Sequence, residues 1–227
     1  MAGGPPSPRA VHLRVMSKAS DLRNRLGGLF EQAVGLATGR GQPPDLTGVL
    51  LSAAEGAAVE RPAGPTIPNV FVAALGEVQE PATRSVAQRN LEDRVTQAAV
   101  HRGLRFEGPI SVTLAPGGKK PEVETAFEPG PLPAWGTLTG TEDGTPVTVH
   151  HNRSLVGRSK DGDVIVNVNG VSRTHALLWR ELASVWIADL QSANGTFVNG
   201  EPVYEVVEVR PGDVILLGNA GFVFGLA

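Results

Sequence analysis

Three short motifs near the C-terminus hold side chains that are suited to binding an anion. In chain order they are Gly157-Arg158, Ser172-Arg173-Thr174-His175 and the stretch from Asn194-Gly195-Thr196 to Asn199-Gly200. Arginine presents a planar, permanently charged fork that an oxyanion engages through two parallel hydrogen bonds, which lysine cannot reproduce. An asparagine amide donates and accepts hydrogen bonds at once. These residue types indicate a site at which a few placed donors capture an anion.

The charge of the chain favours placed donors over a broad electrostatic field. Residues 1–130 contain 14 Lys and Arg against 13 Asp and Glu, whereas residues 131–227 contain 6 against 10, a net charge of −4. A partner held by bulk electrostatics, such as duplex DNA or an anionic membrane, would need a clearly basic face. Neither half offers one by count.

The motifs fall between short segments of β-type sequence, so strands are predicted to position them. The segments recur about every 8–12 residues, with turn signals between them, which is typical of a β-sandwich. No helical period interrupts them. The nine predicted strands cover residues 146–150, 154–157, 163–166, 175–179, 185–190, 195–198, 204–209, 213–217 and 221–226.

The three motifs, a following Pro211-Gly212-Asp213 and the run of β-type segments together resemble the forkhead-associated (FHA) domain, a reader of phosphothreonine peptides. The resemblance covers residues 135–227 and implies a β-sandwich. It also implies binding roles for four residues: the phosphate ligands Arg158 and Ser172, Arg173 on the phosphate or peptide backbone, and Asn194 on the peptide main chain. A phosphothreonine suits such a set because it offers about −1.5 to −2 charges and three acceptor oxygens.

Other motif residues are expected to shape the loops: Gly157, His175, Gly195, Thr196, Asn199 and Gly200. We interpret His175 as an imidazole that holds its loop by hydrogen bonds to neighbouring backbone, and Asn199-Gly200 as a hairpin turn.

One position departs from the family, since many members place Thr or Ser before the Asn-Gly pair where this chain has Ala193. A missing hydrogen bond to a charged group costs about 1.5–3 kcal/mol, so weak affinity is expected unless Ser192, Arg173 or Ser159 substitutes.

A second interpretation of Arg158 makes it a surface ion-pair partner of Asp161 or Asp163 instead of a phosphate ligand.

Apolar periodicity predicts helices in the N-terminal half, near residues 20–39, 45–62 and 83–102. β-type runs lie at residues 69–75, 110–114 and 122–127, and the last two are predicted to pair as a hairpin across Pro116-Gly117-Gly118. The order α-α-β-α-β-β predicts a compact α+β domain. In this order it resembles the N-terminal domain of actinobacterial FhaA-type proteins.

The chain is thus predicted to hold two domains with a Pro/Gly linker between them. Residues 1–16, rich in Pro and Gly, are predicted to be a disordered extension, and residues 17–128 the α+β domain. Prolines at 129, 131 and 133 can continue neither a helix nor a ladder, which places the linker at residues 129–134. Residues 135–227 complete the chain as the FHA sandwich.

Several other functions find no support in the residues. The chain has no cysteine, which removes disulfides, thiolate metal sites and cysteine nucleophiles. The adjacent His150 and His151 would point to opposite faces of a strand, so they would share no metal. No P-loop or catalytic triad can be assembled. Since no stretch reaches the roughly 20 apolar residues of a membrane span and no secretory signal is seen, we expect a cytoplasmic protein. With no catalytic constellation to assign, we also expect it to be non-enzymatic and to need no cofactor.

The resemblance implies an adaptor whose partner is a phosphothreonine-bearing protein, either a Ser/Thr kinase or its substrate, with a link to cell-wall synthesis or division. Two alternatives stay open. Ala193 would fit a degenerate site on a phosphorylation-independent scaffold. Nucleic-acid binding by the α+β domain would use five arginines among acidic neighbours, which are more typical of a solvated face: Arg84, Arg89, Arg94, Arg102 and Arg105.

Overall fold

A computed structural model describes residues 45–75, 81–117, 122–181 and 183–227. The predicted extension at residues 1–16 and the first predicted helix at residues 20–39 lie outside the described residues. Thr47–Ala227 form one compact unit. Within the described ranges, no helix is long and apolar enough to span a bilayer.

The first part of the described chain contains two helices and a three-stranded sheet, and all five were predicted. The elements are α1 (Leu46–Gly56), β1 (Val70–Leu75), α2 (Pro81–His101), β2 (Ser111–Pro116) and β3 (Glu122–Ala126). Helix α2 buries Leu91, Val95 and Ala99, one residue per turn, and packs against β2. We call these elements the α+β part; its status as a separate domain stays a prediction.

The hairpin predicted between residues 110–114 and 122–127 is wrong. Strand β1 is central in the order β2-β1-β3, with β2 parallel and β3 antiparallel to it. The unit β1-α2-β2 is therefore a parallel crossover. The apolar segment Val70–Leu75 takes the position that is paired on both sides, whereas the two strands with alternating polar residues take the edges. Alternation of apolar and polar residues with a period of two predicts a strand, but it does not show which other strand it pairs with.

The second part folds as two packed β-sheets, and all nine strands predicted there are confirmed. One sheet has the order β11-β10-β13-β14-β4-β5 and the other β12-β9-β8-β6-β7. The strands are β4 (Gly136–Gly140), β5 (Pro146–Val149), β6 (Arg153–Gly157), β7 (Val164–Ile165), β8 (Ala176–Glu181), β9 (Ser184–Asp189), β10 (Thr196–Val198), β11 (Glu201–Pro202), β12 (Val206–Val209), β13 (Val214–Leu217) and β14 (Ala220–Leu226). Only β4 and β11 lacked a prediction. Alternate apolar residues of both sheets form the core: Leu138, Leu178, Ile187, Ile215, Leu217 and Phe224.

Buried polar side chains join the α+β part to the sandwich. The side-chain Nδ2 of Asn152 donates to the Leu104 carbonyl oxygen over 2.8 Å, and Arg153 Nε donates to the Ala63 carbonyl oxygen over 2.8 Å. The Arg153 guanidinium lies over the Trp179 ring, 5.4 Å from its centroid. Burial lowers the pKa of Arg153 to about 10, so the side chain stays charged at neutral pH. The two parts are therefore in direct contact, while the domain boundary at residues 129–134 stays a prediction.

Candidate functional site

The three sequence motifs lie on three adjacent loops of the sandwich. The loop after β6 carries Arg158, the loop before β8 carries Ser172, and the loop before β10 carries Asn194. The Arg158 amide donates to the Ser172 carbonyl oxygen over 2.9 Å, and the Ser159 amide donates to the Arg173 carbonyl oxygen over 3.0 Å. These bonds bring the first two loops side by side.

The second and third loops meet at the Ser172 hydroxyl. The Ala193 amide donates to Ser172 Oγ over 3.0 Å, so this oxygen accepts from the protein and keeps its own proton for another acceptor. Asn194 Nδ2 donates to the Gly170 carbonyl oxygen over 2.8 Å. The third loop is therefore bonded to the second at two points.

His175 is fully buried and lies between the same two loops. Its Nδ1 accepts from the Ser172 amide at 3.0 Å, which places the ring proton on Nε2, 3.1 Å from the Gly195 carbonyl oxygen. Burial lowers the pKa of His175, which favours this neutral tautomer. The imidazole thus holds Ser172 and Gly195 at a fixed separation.

Gly157 is set by a close approach of two backbones. A Cβ at this position would lie 2.3 Å from the Arg173 carbonyl oxygen and 2.9 Å from that of Ser172. Such contacts are far inside van der Waals distance, so only glycine lets the end of β6 run against the second loop. The residue before Arg158 therefore sets how near the two loops come.

Asp189 supports the third loop and was missed from the sequence. Its Oδ1 accepts from Ser192 Oγ at 2.6 Å and from Thr196 Oγ1 at 2.7 Å, and its Oδ2 accepts from the Ser192 amide at 2.9 Å. A carboxylate at the end of a strand, shortly before Ser and Thr, is the only sequence signal for this role. Because Ser192 donates its hydroxyl proton to Asp189, that proton is not free to replace the hydroxyl absent at Ala193.

The two site arginines are exposed. Among the described residues, neither Arg158 nor Arg173 has a side-chain hydrogen bond or ion pair. The ion pair considered for Arg158 is not formed, because Asp163 binds Arg105 and Asp161 accepts from Ser159 Oγ at 3.3 Å. Within the described chain, two unpaired cations therefore stand on the first two loops, one on the loop after β6 and one next to Ser172 on the loop before β8.

Asn199 and Gly200 form the turn between β10 and β11, outside the three loops that carry Arg158, Ser172 and Asn194. Both have positive φ, 53° and 86°, as a two-residue hairpin turn of type I′ requires. The Asn199 amide group is fixed by Asp213, which accepts from Nδ2 at 2.8 Å, and by the Val214 amide, which donates to Oδ1 over 2.9 Å. This motif therefore shapes the sandwich at a distance from the arginines.

Among the described residues no group of His, Asp and Glu could hold a metal ion. The two adjacent histidines have separate partners. His150 Nδ1 lies 2.8 Å from the Leu132 carbonyl oxygen, whereas His151 lies 3.2 Å from carboxylate oxygens of Glu107 and Asp163. The second contact belongs to a partly buried charge cluster that sequence reasoning did not find.

Comparison with known proteins places these loops in a family. The FHA domain model matches residues 155–218. An ABC transporter ATP-binding/permease protein of Mycobacterium tuberculosis is 39% identical over 69 residues, which cover 30% of this chain and 8% of the transporter. The FHA domain-containing protein FhaA of the same organism is 36% identical over 81 residues, covering 35% of this chain and 15% of FhaA. The chain thus spans a small share of either relative.

A solved structure from work on phosphothreonine-dependent FHA domain interactions is 30% identical in sequence. The match covers 41% of this chain and 97% of that one, with a TM-score of 0.38.

Proposed function

Because the C-terminal part of this chain is an FHA domain, we propose that the chain is a non-enzymatic adaptor that binds phosphothreonine segments of partner proteins in Ser/Thr kinase signalling. The observation that carries this proposal is the pair of exposed arginines, Arg158 and Arg173, that have no ion-pair partner among the described residues and lie on the two loops that meet through the backbone bond from Arg158 to Ser172.

The phosphate would be held by placed donors, as a domain with a net negative charge requires. Arg158 would engage two phosphate oxygens through its guanidinium fork, because charge-assisted, bidentate bonds are the strongest available to an exposed side chain. Ser172 would donate its hydroxyl proton to a phosphate oxygen while accepting from the Ala193 amide. Arg173 would add a second cation to the phosphate or bind the peptide backbone.

The peptide main chain would lie along the third loop. Asn194 is exposed, and its Nδ2 already donates to a backbone carbonyl oxygen, that of Gly170. A bound peptide would accept a hydrogen bond from Nδ2 or donate one to the remaining acceptor Oδ1. The side-chain amide suits this role because it can pair with both the carbonyl oxygen and the N–H group of a peptide unit. Neutral His175 would keep this loop at a constant distance from Ser172 as the ligand enters.

The partner we propose is a Ser/Thr kinase or one of its substrates, met in the cytoplasm. We also propose a role near cell-wall synthesis or division, which the resemblance to FhaA-type proteins implies. Binding of nucleic acid by the α+β part has little support: Arg102 pairs with Glu55 at 2.8 Å, and Arg105 is buried against carboxylates.

A scaffold that ignores phosphorylation is the second candidate. It is favoured by Ala193, which lacks a hydroxyl, together with the Ser192 hydroxyl that donates to Asp189 instead. The two functions differ in one respect that can be measured, because only the first requires the phosphoryl group.

The proposal is tested by capture from lysates of the source cells, with and without phosphatase treatment, on the immobilised full chain. We expect phosphothreonine proteins to be retained from the untreated lysate only, and Arg158→Ala to reduce their retention strongly. Arg210→Ala is the matched control, because Arg210 is also exposed but pairs with Glu208 at 3.0 Å. Capture that is equal before and after phosphatase treatment would support the scaffold instead.

A further inference from the structure

Arg105 of the α+β part binds the base of the loop that carries Arg158. Its Nη1 and Nη2 donate to the two carboxylate oxygens of Asp163, each over 2.7 Å, in a bidentate fork. Nη1 also donates to the Arg153 carbonyl oxygen in strand β6. Only 5% of Arg105 is exposed, so this contact is made away from solvent. The fork therefore joins the two parts of the compact unit through a buried ion pair.

Asp163 closes the loop between β6 and β7 at its base. The Leu155 amide donates to Asp163 Oδ2 over 2.7 Å, and the Asp163 amide donates to the Leu155 carbonyl oxygen over 3.0 Å. Residues 158–162, including Arg158, lie between these anchor points. A carboxylate that turned away from Leu155 would release one side of the loop.

Arg105 is itself firmly held. Its amide donates to the Pro65 carbonyl oxygen and its carbonyl oxygen accepts from the Ile67 amide, both over 2.8 Å. Nε donates to Glu107 Oε1 over 3.0 Å. These bonds within the α+β part fix the Arg105 backbone and guanidinium, so that the guanidinium faces Asp163 in one orientation.

The charged groups around Arg105 explain why its guanidinium is needed to hold Asp163 in place. Glu107 and Asp163 both face Arg105, and His151 is in contact with each of them at 3.2 Å. Without the guanidinium, two partly buried carboxylates would lose the permanent countercharge that they share. A carboxylate that loses its buried partner turns toward water, because an uncompensated buried charge is costly.

We propose that Arg105 is a positioning residue for the phosphate-binding loop, so that the α+β part sets the affinity of the FHA site through Asp163. This inference rests on the proposed phosphopeptide function for its effect on affinity. Its effect on the loop itself, through the Asp163 anchor, is independent of any ligand.

The first measurement is amide hydrogen exchange of the full chain over residues 158–163. Arg105→Gln removes the charged fork and retains much of the side-chain length; Arg102→Gln removes a nearby arginine that is 38% exposed and pairs at the surface. We expect exchange in this loop to become at least about fivefold faster in Arg105→Gln and to stay unchanged in Arg102→Gln.

The second measurement is fluorescence anisotropy with a degenerate peptide library that has one fixed phosphothreonine. Arg105→Gln should weaken binding roughly tenfold, because residues that share one hydrogen-bond network or backbone segment are energetically coupled. In an Arg158→Ala background the same substitution should change affinity less than about twofold, because the loop then has no guanidinium to position. Circular dichroism checks that each variant is folded; if Arg105→Gln is not, Arg105→Lys keeps the charge, lacks the fork and should shift both readouts in the same direction.

Unchanged loop exchange in a folded Arg105 variant would overturn the inference. So would equal effects of Arg105→Gln with and without Arg158, since the residue would then act by some route other than the loop. A wild-type chain that binds the phosphorylated and unphosphorylated libraries equally would overturn the proposed function alone, and the exchange data would still decide whether Arg105 positions the loop.

Discussion

His175 Nε2 lies 3.1 Å from the carbonyl oxygen of Gly195, and this hydrogen bond joins two loops that are 20 residues apart in sequence. The other ring nitrogen accepts from the Ser172 amide. One buried, neutral side chain thus sets the position of the serine that would donate to phosphate against the asparagine loop that would hold the peptide.

Replacing His175 with Ala should destabilise the domain and weaken phosphopeptide binding together. The substitution leaves a cavity and two backbone groups without partners, which costs about 3 kcal/mol. Urea unfolding followed by fluorescence measures the loss. His150→Ala is the control, because His150 is an exposed histidine, and its free energy of unfolding should stay within about 0.5 kcal/mol of the wild type. A His175→Ala chain of wild-type stability would contradict the role assigned to the imidazole.

Gly157→Ala tests the close approach of the first two loops. The added Cβ would lie 2.3 Å from the Arg173 carbonyl oxygen, and the backbone must move to relieve the contact. We expect a loss of about 1–3 kcal/mol in unfolding free energy and weaker phosphopeptide binding. Gly56→Ala makes a matched control, since its Cβ would meet nothing within 4 Å. If both variants behave alike, the approach is looser than described.

The stability of the protein should fall as the pH drops below 6.5. Burial lowers the pKa of both His175 and His151 below the ordinary value of 6.5, with the charge of Arg105 adding to the effect at His151. The unfolded chain therefore takes up protons at a higher pH than the folded one, and protonation favours unfolding. Urea midpoints measured between pH 7.5 and 5.5 should decrease, whereas a flat profile would show that neither histidine is buried as a neutral ring.

Sequence reasoning succeeded where a local pattern determines a local structure. The turn residues and alternating segments of the C-terminal part predicted nine strands, and the apolar stripe of residues 83–102 predicted helix α2 (Pro81–His101). Periodicity follows from the geometry of one element, so it is visible without knowledge of the neighbours.

Pairing and long-range contacts were not visible in the same way. The strands β2 and β3 were assigned to each other because they follow in sequence, yet both pair with β1. The bond between Arg105 and Asp163 spans 58 residues, and nothing near either residue indicates it. Asp189 was missed for a similar reason, since its partners Ser192 and Thr196 are common turn residues.

Ala193→Thr should strengthen phosphopeptide binding if the site is intact but lacks one hydroxyl. Ala193 is exposed, and its amide already donates to Ser172 Oγ, so a hydroxyl on Cβ would lie near the same phosphate oxygens. A hydrogen bond to a charged group contributes about 1.5–3 kcal/mol, which corresponds to at least a tenfold gain. Titration calorimetry with one phosphothreonine peptide compares the two chains. An Ala193→Thr chain that binds no better than the wild type would mean that the family's hydroxyl has no role here.

The central claim is that Arg158 and Ser172 clamp a phosphothreonine, and calorimetry with a phosphorylated peptide and its unphosphorylated twin tests it most directly. The full chain should bind only the phosphorylated peptide. Arg158→Ala should lose at least about 2 kcal/mol of binding free energy, on the order of thirtyfold, with little change in unfolding free energy, because this guanidinium has no partner within the described chain. Equal affinity of the wild type for the two peptides would contradict the claim.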